Sequence, residues 1–413
     1  MTTRISLLLA ALCVAASGCA VNEVITAEET ELIIAETPPD EAMLLDIGVV
    51  EFVGGIDADN DPEESGIYEE IRSAEVRYLP YHLKTTLQGT GHWGAVRVIP
   101  SRSAFTDVVI GGEIEESDGE FIELKITVDD SRGQHWYEKT YSTQTGISSY
   151  SENRDRRMDP YQKVFNDIAN DLKEYVDALP PESIREVRQV TELKFFADMA
   201  PKAYGEHLNI DEEGKATIVR LPADNDPSVD RLRQIRERDR LVVDTLNEHY
   251  ANFYYGIAIP YHSWRKTARE ESINYRQVKR SAALQTLMGA VVIAGALAVD
   301  SNSSSYSKRQ MQRSLQNIAI GEGFEAMMSG ISRRNEAGMH RESIKELSES
   351  FGAEAAPMVV TVEGETRRLT GTAAAQYESW RRLLKEIYEA ETGFVETADA
   401  VDPDPVRIAE PTG

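Results

Sequence analysis

The stretch Phe121–Asp129, FIELKITVD, alternates between apolar and polar side chains along its length. A period of two places the apolar side chains on one face of a β-strand. One face of the sheet is therefore predicted to be packed, and the other to be wet or covered by charged residues. Three more strands are predicted close by, at Ala95–Ile99, Asp107–Glu115 and His135–Tyr141. Together these four segments predict a sheet with one buried face.

A further strand and two helices are predicted on either side of these four segments. Leu44–Val53 is a β-rich apolar run, and Glu64–Leu87 has the apolar periodicity of a helix. Tyr161–Leu179 is predicted to be an amphipathic helix with apolar side chains at four-residue spacing. The resulting order β-α-β-β-β-β-α predicts an α+β sandwich domain over residues 43–180.

This element order resembles a periplasmic domain found in several envelope lipoprotein families. They are the curli-secretion channel lipoproteins, the lipoprotein activators of peptidoglycan synthases, and the auxiliary lipoproteins of lipid-transporting ABC systems. The resemblance covers about Leu44 to Leu179, less than half of the chain, and lies in element order rather than in a motif. It implies docking or assembly rather than chemistry, and it assigns no role to any single residue.

The rest of the chain is predicted to be mainly helical. Residues 181–260 are expected to form a mixed linker region with a charged helix from Ser228 to about Tyr250. Residues 261–393 are expected to form a helical domain, whose first helix begins at about His262 and runs into an apolar stretch. The acidic tail 394–413 is predicted to be disordered.

Two elements are predicted near the end of the helical domain. Met358–Val362 and Thr366–Thr370 are expected to form a β-hairpin. The last helix, Ala373–Glu391, is expected to pack through one apolar side. The side chains on that side are Trp380, Leu383, Leu384 and Ile387.

Small side chains recur at four-residue spacing in the apolar stretch Ser281–Val299 and in the helix predicted after it. Small residues allow two helix backbones to approach closely, so the two helices are predicted to form a close-packed αα-hairpin. The predicted packing ridge consists of Ala282, Thr286, Ala290, Ala294, Ala298, Ala319, Gly323, Ala326 and Gly330.

Two locations are open for the apolar stretch Ser281–Val299. Its nineteen residues, at ~1.5 Å each, would extend roughly 28 Å as a helix, which is just enough to cross a hydrocarbon layer. The expected partner helix, however, contains Glu322 and Glu325, which would be costly in lipid. Burial in a helical domain or in an oligomer interface is therefore favoured over membrane insertion.

The N-terminus has the features of a secretory signal. Arg4 and the apolar run Ile5–Ala15 precede Ala16-Ser17-Gly18 and Cys19. These last four residues resemble the lipobox of bacterial lipoproteins, which implies cleavage before Cys19 and attachment of diacylglycerol to its thiol. An ordinary secreted protein that is cut after Ala16 or Gly18 is the alternative. With residues 1–18 removed, Cys19 would be the only cysteine, so no internal disulfide could form.

The residue after Cys19 bears on localisation. In the enterobacterial families that the lipobox resembles, an aspartate at this place retains the protein at the inner membrane. Ala20 stands there instead, which implies the outer membrane, with the protein facing the periplasm. Residues 19–42 are acidic and contain Pro38-Pro39, so they are predicted to be a flexible tether between the lipid and the folded body.

The net charge of −26 limits the kinds of partner. A chain with 70 acidic and 44 basic side chains repels nucleic acid and anionic headgroups, so nucleic-acid binding is not expected. The expected partners are the membrane, through the N-terminal lipid, other envelope proteins, and further copies of the chain in a homo-oligomer.

No motif of catalytic or metal-binding residues stands out. Asp57, Asp59 and Asp61 have the spacing of a calcium loop, but Pro62 replaces the required glycine and Tyr68 replaces the glutamate at the twelfth position. The seven histidines include no pair at three- or four-residue spacing. No nucleophile elbow, P-loop or dinucleotide fingerprint occurs. The sequence thus predicts no cofactor, no metal ion and no enzymatic activity.

These observations favour a structural, docking or assembly role in the cell envelope. One alternative is a component of a transport or secretion complex in which residues 281–299 insert in the membrane. Another alternative is a periplasmic hydrolase whose active site is assembled from residues far apart in the sequence.

Overall fold

A mixed six-stranded sheet forms the centre of the fold. The structure, a computed structural model, describes residues 29–55, 67–102, 105–151, 158–223, 225–298, 339–349, 358–362 and 365–392. The strands are β1 (Ile47–Val50), β2 (Val53–Gly54), β3 (Val96–Ile99), β4 (Val108–Ser117), β5 (Phe121–Asp130) and β6 (His135–Gln144). Their order is β3-β1-β4-β5-β6, with β2 paired to β4. β1 is parallel to both β3 and β4, whereas β4, β5 and β6 are antiparallel.

The alternation in β5 has the predicted effect. Ile122, Leu124, Ile126 and Val128 are completely buried, and the polar side chains between them are half-buried on the opposite face. Helices α1 (Glu69–Thr90) and α2 (Gln162–Asp177) contribute their own apolar side chains to the same core. The predicted α+β class is therefore confirmed.

Between α2 and the long helix that follows, the chain forms two more helices and a small hairpin. They are α3 (Pro181–Met199), α4 (Pro201–Tyr204), β7 (Leu208–Ile210) and β8 (Ala216–Ile218). In the turn before β8, the Asp211 carboxylate accepts hydrogen bonds from the backbone N–H groups of Glu213 and Lys215. Apolar side chains of α3 join the same core as the sheet.

The next helix, α5 (Pro227–Ala298), is continuous over 72 residues. The prediction of one helix ending near Tyr250 and another beginning near His262 is wrong. Large apolar side chains from Tyr250 to Trp264 are themselves spaced three and four apart, and they form a buried stripe on one side of a helix. This stripe consists of Tyr250, Phe253, Ile257, Tyr261 and Trp264.

The C-terminal elements follow the prediction closely. After a helical segment at 339–349, α6, the strands β9 (Met358–Val362) and β10 (Glu365–Leu369) pair as an antiparallel hairpin. Helix α7 (Ala373–Thr392) packs on α5, and its indole Trp380 Nε1 donates to Asp239 on α5 at 3.2 Å. The predicted inward side chains are all buried, namely Trp380, Leu383, Leu384 and Ile387.

The later part of the predicted flexible tether is fixed to the body. The Asn166 amide donates to the carbonyl of Thr30 at 2.7 Å. The Asn170 side chain donates to the carbonyl of Glu31 and accepts from the N–H of Ile33, both at 2.9 Å. These two amides on α2 supply the hydrogen bonds that an extended backbone lacks, so the prediction of a flexible tether is wrong for residues 30–33. Residues 19–28 of that tether lie outside the described residues.

Candidate anion-binding cleft

Most of the sequence-predicted site residues lie where the structure gives no side chains. Cys19 and the motif Ala16-Ser17-Gly18 are outside the described residues. In the packing ridge, Ala282, Thr286, Ala290, Ala294 and Ala298 lie on α5, but their side chains are not described. The other four ridge residues fall outside the described part of the chain, namely Ala319, Gly323, Ala326 and Gly330.

The described residues contain neither a membrane-spanning helix nor a metal-binding cluster. None of the helices in the described part of the chain combines the length and the apolar character needed to cross a membrane. Among the same residues, no group of three or more histidine, cysteine, aspartate or glutamate side chains is placed to hold a metal ion.

A cleft of about 290 Å³ lies between α3, α5 and the start of strands β1 and β4. We call it the arginine cleft, because four of its nine lining residues are arginines, although the chain as a whole has a net charge of −26. The lining residues are Ala42, Asp46, Asp107, Arg185, Arg188, Gln189, Glu192, Arg236 and Arg240.

Helical spacing places the arginines on the two walls of the cleft. Arg185 and Arg188 are three residues apart on α3, and Arg236 and Arg240 are four residues apart on α5. Residues at these spacings share one face of a helix. Each helix therefore presents two guanidinium groups to the space between them.

The floor of the cleft is made by two acids that precede parallel strands. Ile47 of β1 is in register with Val108 of β4, so Asp46 and Asp107 meet directly before the two strands. The backbone N–H of Asp46 donates to the Asp107 carboxylate at 2.9 Å. Burial raises the pKa of Asp107, and the Asp46 carboxylate adds to this effect. The two carboxylates are therefore placed by the strand pairing itself.

Two of the three acids of the cleft already have cationic partners. The Asp46 carboxylate accepts from the backbone N–H of Ala95 and from the Arg240 guanidinium, both at 2.9 Å. Glu192 pairs at 2.8 Å with Arg233, which does not line the cleft. Asp46 and Glu192 are thus already paired, and their attraction to Arg236 only partly opposes the lowering of its pKa.

The arginines differ in what they contact. Arg185 pairs with Glu182 at 2.8 Å, and Arg188 donates to the backbone carbonyl of Glu41 at 2.8 Å. Arg236 stands apart, because its Nε is buried and has no hydrogen-bond partner among the described residues. Burial and the neighbouring Arg240 lower the pKa of Arg236, while Asp107 acts in the opposite direction. Arg236 is thus a cation whose local environment favours the arrival of a negative charge.

This arrangement suits the binding of an anion. A planar guanidinium presents five N–H donors in a fork that fits a carboxylate or a phosphate. The lining contains no serine, cysteine or histidine, and therefore neither a nucleophile of that kind nor an imidazole. Sequence reasoning missed the cleft. The available signal was a pair of arginines three or four residues apart in each of two helices of a strongly acidic chain.

A second cluster of charged side chains is closed to solvent. Arg265 on α5 donates from both terminal nitrogens to the two oxygens of Asp159, each at 2.8 Å. Its guanidinium also lies 4.3 Å from the ring centroid of Tyr261. Close by, the Glu75 carboxylate accepts from Ser117 at 2.5 Å and from Tyr261 at 2.6 Å. This buried polar cluster joins α5 to α1 and to the segment before α2, which is a structural role.

His82 on α1 lies in a chain of hydrogen bonds between α2 and α5. Its Nδ1 is 2.8 Å from the Tyr254 hydroxyl, and its Nε2 is 3.0 Å from the amide oxygen of Gln162. An amide oxygen only accepts, so Nε2 carries the proton, and Nδ1 accepts from Tyr254. The Gln162 amide nitrogen in turn donates to Asn166 at 2.9 Å. A neutral His82 therefore satisfies both of its neighbours.

Acidification is expected to destabilise the protein through His82. Burial lowers the pKa of His82 below its value in the unfolded chain, which is about 6.5. The unfolded state therefore binds a proton that the folded state does not, and stability falls as the pH drops from about 6.5 to the folded pKa. Urea unfolding of the wild type and of His82→Gln, between about pH 7.5 and pH 5, measures this effect.

The free energy of unfolding of the wild type should exceed that of His82→Gln, and this difference should shrink as the pH falls across that range. The variant His135→Gln is the control. It removes an imidazole that is exposed to solvent, and so reports the general effect of losing a histidine. A wild-type advantage over His82→Gln that is the same at both ends of the range would contradict the prediction.

Comparisons with known proteins add two distant structural similarities. No family model matches this chain, and no curated protein matches it. The chain is similar to a PelC variant from Paraburkholderia phytofirmans, solved as a dodecamer, with 15% identity and a TM-score of 0.19, over 37% of this chain and 99% of that one. It is also similar to the hypothetical protein CT253 from Chlamydia trachomatis, with 12% identity and a TM-score of 0.18, over 32% of this chain and 99% of that one. TM-scores this low carry no argument about function.

Proposed function

We propose that this chain is a non-catalytic, lipid-anchored docking protein of a bacterial cell envelope. It engages a partner molecule through an anionic group that enters the arginine cleft. The observation that carries the proposal is Arg236, whose buried Nε has no hydrogen-bond partner among the described residues. The anchor rests on the Cys19 motif of the sequence.

The energetics of Arg236 support an anionic partner. Taking a charge out of water is costly, and the attraction of Arg236 to Asp107, Glu192 and Asp46 does not outweigh this cost, since its pKa is still lowered. An anion in the cleft would offset both the burial of Arg236 and its repulsion by Arg240, the two effects that lower its pKa. Binding of an anion would therefore stabilise the folded protein relative to the protein with a free cleft.

The charge of the whole chain makes the cleft selective. At a net charge of −26, the chain repels anions at long range, so large polyanions are disfavoured. At physiological salt, however, this repulsion is screened beyond about 8 Å. Only an anion that reaches the guanidinium groups directly gains their short-range attraction. The cleft therefore favours a compact anionic group over an extended anionic surface.

The position of the fixed N-terminal segment fits an anchored protein. Ten residue steps separate Cys19 from Glu29, the first residue that the structure describes. At about 3.5 Å per residue these steps extend at most roughly 35 Å. The body would therefore stay within a short distance of the membrane that holds the lipid.

Stabilisation by anions tests the docking site. Phosphate, sulfate, citrate and succinate are compared with sodium chloride at equal ionic strength in thermal unfolding of the wild type. At least one oxyanion should raise the melting temperature, since a ligand at 100 times its Kd stabilises by about 2.7 kcal/mol. Arg236→Gln should lose this gain. Arg238→Gln should keep it, because Arg238 lies on the same helix but contacts Glu391 of α7.

A second arm tests the anchor. The wild type should sediment with the membrane fraction, and Cys19→Ser should appear in the soluble fraction. If no oxyanion stabilises the protein beyond chloride, the docking site is refuted. If Cys19→Ser remains in the membrane fraction, the lipid anchor is refuted.

A further inference from the structure

The number of charges in the arginine cleft indicates how much negative charge it accepts. Of its four arginines, Arg240 is neutralised by Asp46, and Arg185 by Glu182 outside the cleft. Arg188 donates to a backbone carbonyl, and the Nε of Arg236 has no hydrogen-bond partner in the part of the chain that the structure describes. Asp107 is the remaining acid, and its charge opposes the effects that lower the pKa of Arg236. Four arginines against three acids leave the lining of the cleft with an excess of one positive charge.

The donors in the cleft outnumber what a carboxylate can accept. Each guanidinium has five N–H groups. Arg188 uses a single donor on the Glu41 carbonyl, and Arg240 uses one on Asp46 and one on Glu237. A carboxylate offers two oxygens to the donors that are left, whereas a terminal phosphate offers three and carries about −1.5 to −2 charges near neutral pH. The number of acceptors therefore matches a phosphate better than a carboxylate.

The size of the cleft limits the rest of the ligand. A volume of about 290 Å³ is at the lower end of the range for small-molecule sites, about 300 to 1,000 Å³. A space of this volume is large enough for a phosphate together with a small attached group. An extended polyanion would also meet the repulsion of a chain with a net charge of −26.

We propose that the arginine cleft binds a terminal phosphate group, either free inorganic phosphate or a phosphate monoester, held mainly by Arg188 and Arg236. This inference rests on the proposed docking function and specifies the anion. Arg240 is positioned by Asp46 and contributes its remaining donors from the α5 side. Two kinds of molecule carry such a phosphate group, namely a soluble phosphate compound and a lipid with a phosphomonoester headgroup.

Calorimetric titration of the full-length lipidated protein in detergent micelles tests the phosphate preference. The ligands are inorganic phosphate, glycerol 3-phosphate, phosphatidic acid in mixed micelles, and succinate as the carboxylate of equal charge. At least one of the three phosphates should bind about tenfold more tightly than succinate. The phosphate that binds most tightly identifies the source.

Variants locate the bound phosphate. Arg236→Gln and Arg188→Gln should each weaken phosphate binding about tenfold, the effect of losing a charge-assisted hydrogen bond. Arg236→Lys keeps the charge without the fork and should fall between the wild type and Arg236→Gln. Arg236→Lys also controls for a loss of the fold, and the melting temperature of each variant provides a second control. Arg238→Gln, outside the cleft, should bind as the wild type does.

The outcomes separate the two proposals. Succinate binding as tightly as every phosphate, with both weakened by Arg236→Gln, would overturn the phosphate inference and leave the docking site intact. Phosphate binding that is unchanged in Arg236→Gln and Arg188→Gln would place the anion elsewhere and overturn the inference. Absence of binding by all four ligands would overturn the docking function together with it.

Discussion

Replacement of Arg265 by methionine is expected to lower the free energy of unfolding by roughly 3–5 kcal/mol, because it leaves the buried Asp159 without its partner. Both side chains are buried, and both terminal nitrogens of Arg265 bond the Asp159 carboxylate at 2.8 Å. Burial raises the pKa of Asp159, but Arg265, together with His82 and the backbone N–H of Tyr161, outweighs burial and holds the pKa well below the usual range. The variant also loses the contact of the guanidinium with Tyr261.

Urea unfolding near neutral pH measures the decrease in the free energy of unfolding of Arg265→Met. The double variant Asp159→Asn with Arg265→Met should recover much of it, since the unpaired charge is then gone. Arg238→Met removes a half-exposed arginine from the same helix and should cost at most about 1 kcal/mol.

The pH dependence gives a further check on Arg265. Ionised Asp159 stabilises the folded protein at pH values above about 3.9, the pKa of an aspartate in the unfolded chain. This stabilisation is lost as the pH falls through the lower pKa that Asp159 has in the folded protein. The deficit of Arg265→Met should therefore shrink as the pH is lowered toward about 3. If Arg265→Met lowered the free energy of unfolding by less than about 1 kcal/mol near neutral pH, the prediction would be contradicted. The Arg265 pair with Asp159 would then contribute no more than a solvent-exposed ion pair.

Replacement of Gly119 by alanine is expected to cost roughly 2–5 kcal/mol through two separate effects. Gly119 lies in the turn between β4 and β5 with φ at 89°, a conformation that costs an alanine about 1–2 kcal/mol. An added Cβ would lie 3.2 Å from the Cβ of Ala268 and closer still to the carbonyl oxygen of Arg265. Such overpacking costs about 1–3 kcal/mol, and α5 cannot retreat without straining the Arg265 pair with Asp159.

Gly214 provides a matched control for Gly119→Ala. Its φ is 83°, but a Cβ there would meet no atom within 4 Å. Gly214→Ala should therefore show the backbone cost alone, about 1–2 kcal/mol. The two variants are compared by urea unfolding. Equal losses would mean that the turn and α5 do not approach each other as closely as the structure places them.

Local periodicity was sufficient to predict most elements. The alternation in Phe121–Asp129 and the four-residue spacing in α2 depend only on which side chains face the core, and both were predicted correctly. The continuity of α5 through Pro260 was not predicted. A proline removes one backbone donor and normally ends a helix. Here the buried stripe from Tyr250 to Trp264 crosses it without interruption, and tertiary packing outweighs the local signal.

The arginine cleft could not be predicted in the same way. Asp46 and Asp107 are 61 residues apart and meet only because β1 pairs with β4 in parallel. That pairing depends on the insertion of β1 between β3 and β4, and the sequence contains no signal for this strand order. The buried polar cluster is similar, since Asp159 and Arg265 are 106 residues apart. Sites of this kind depend on strand order and on helix packing.

The hydrogen bonds that fix residues 30–33 have a mechanical consequence. A pulling force applied to the chain at Thr30 acts where the backbone is held by Asn166 of α2. Asn166 is bonded to Gln162, and Gln162 to His82, whose other nitrogen contacts Tyr254 of α5. Tension on residues 30–33 is thus carried through side-chain amides and an imidazole into α2, α1 and α5. These residues therefore move together with the body.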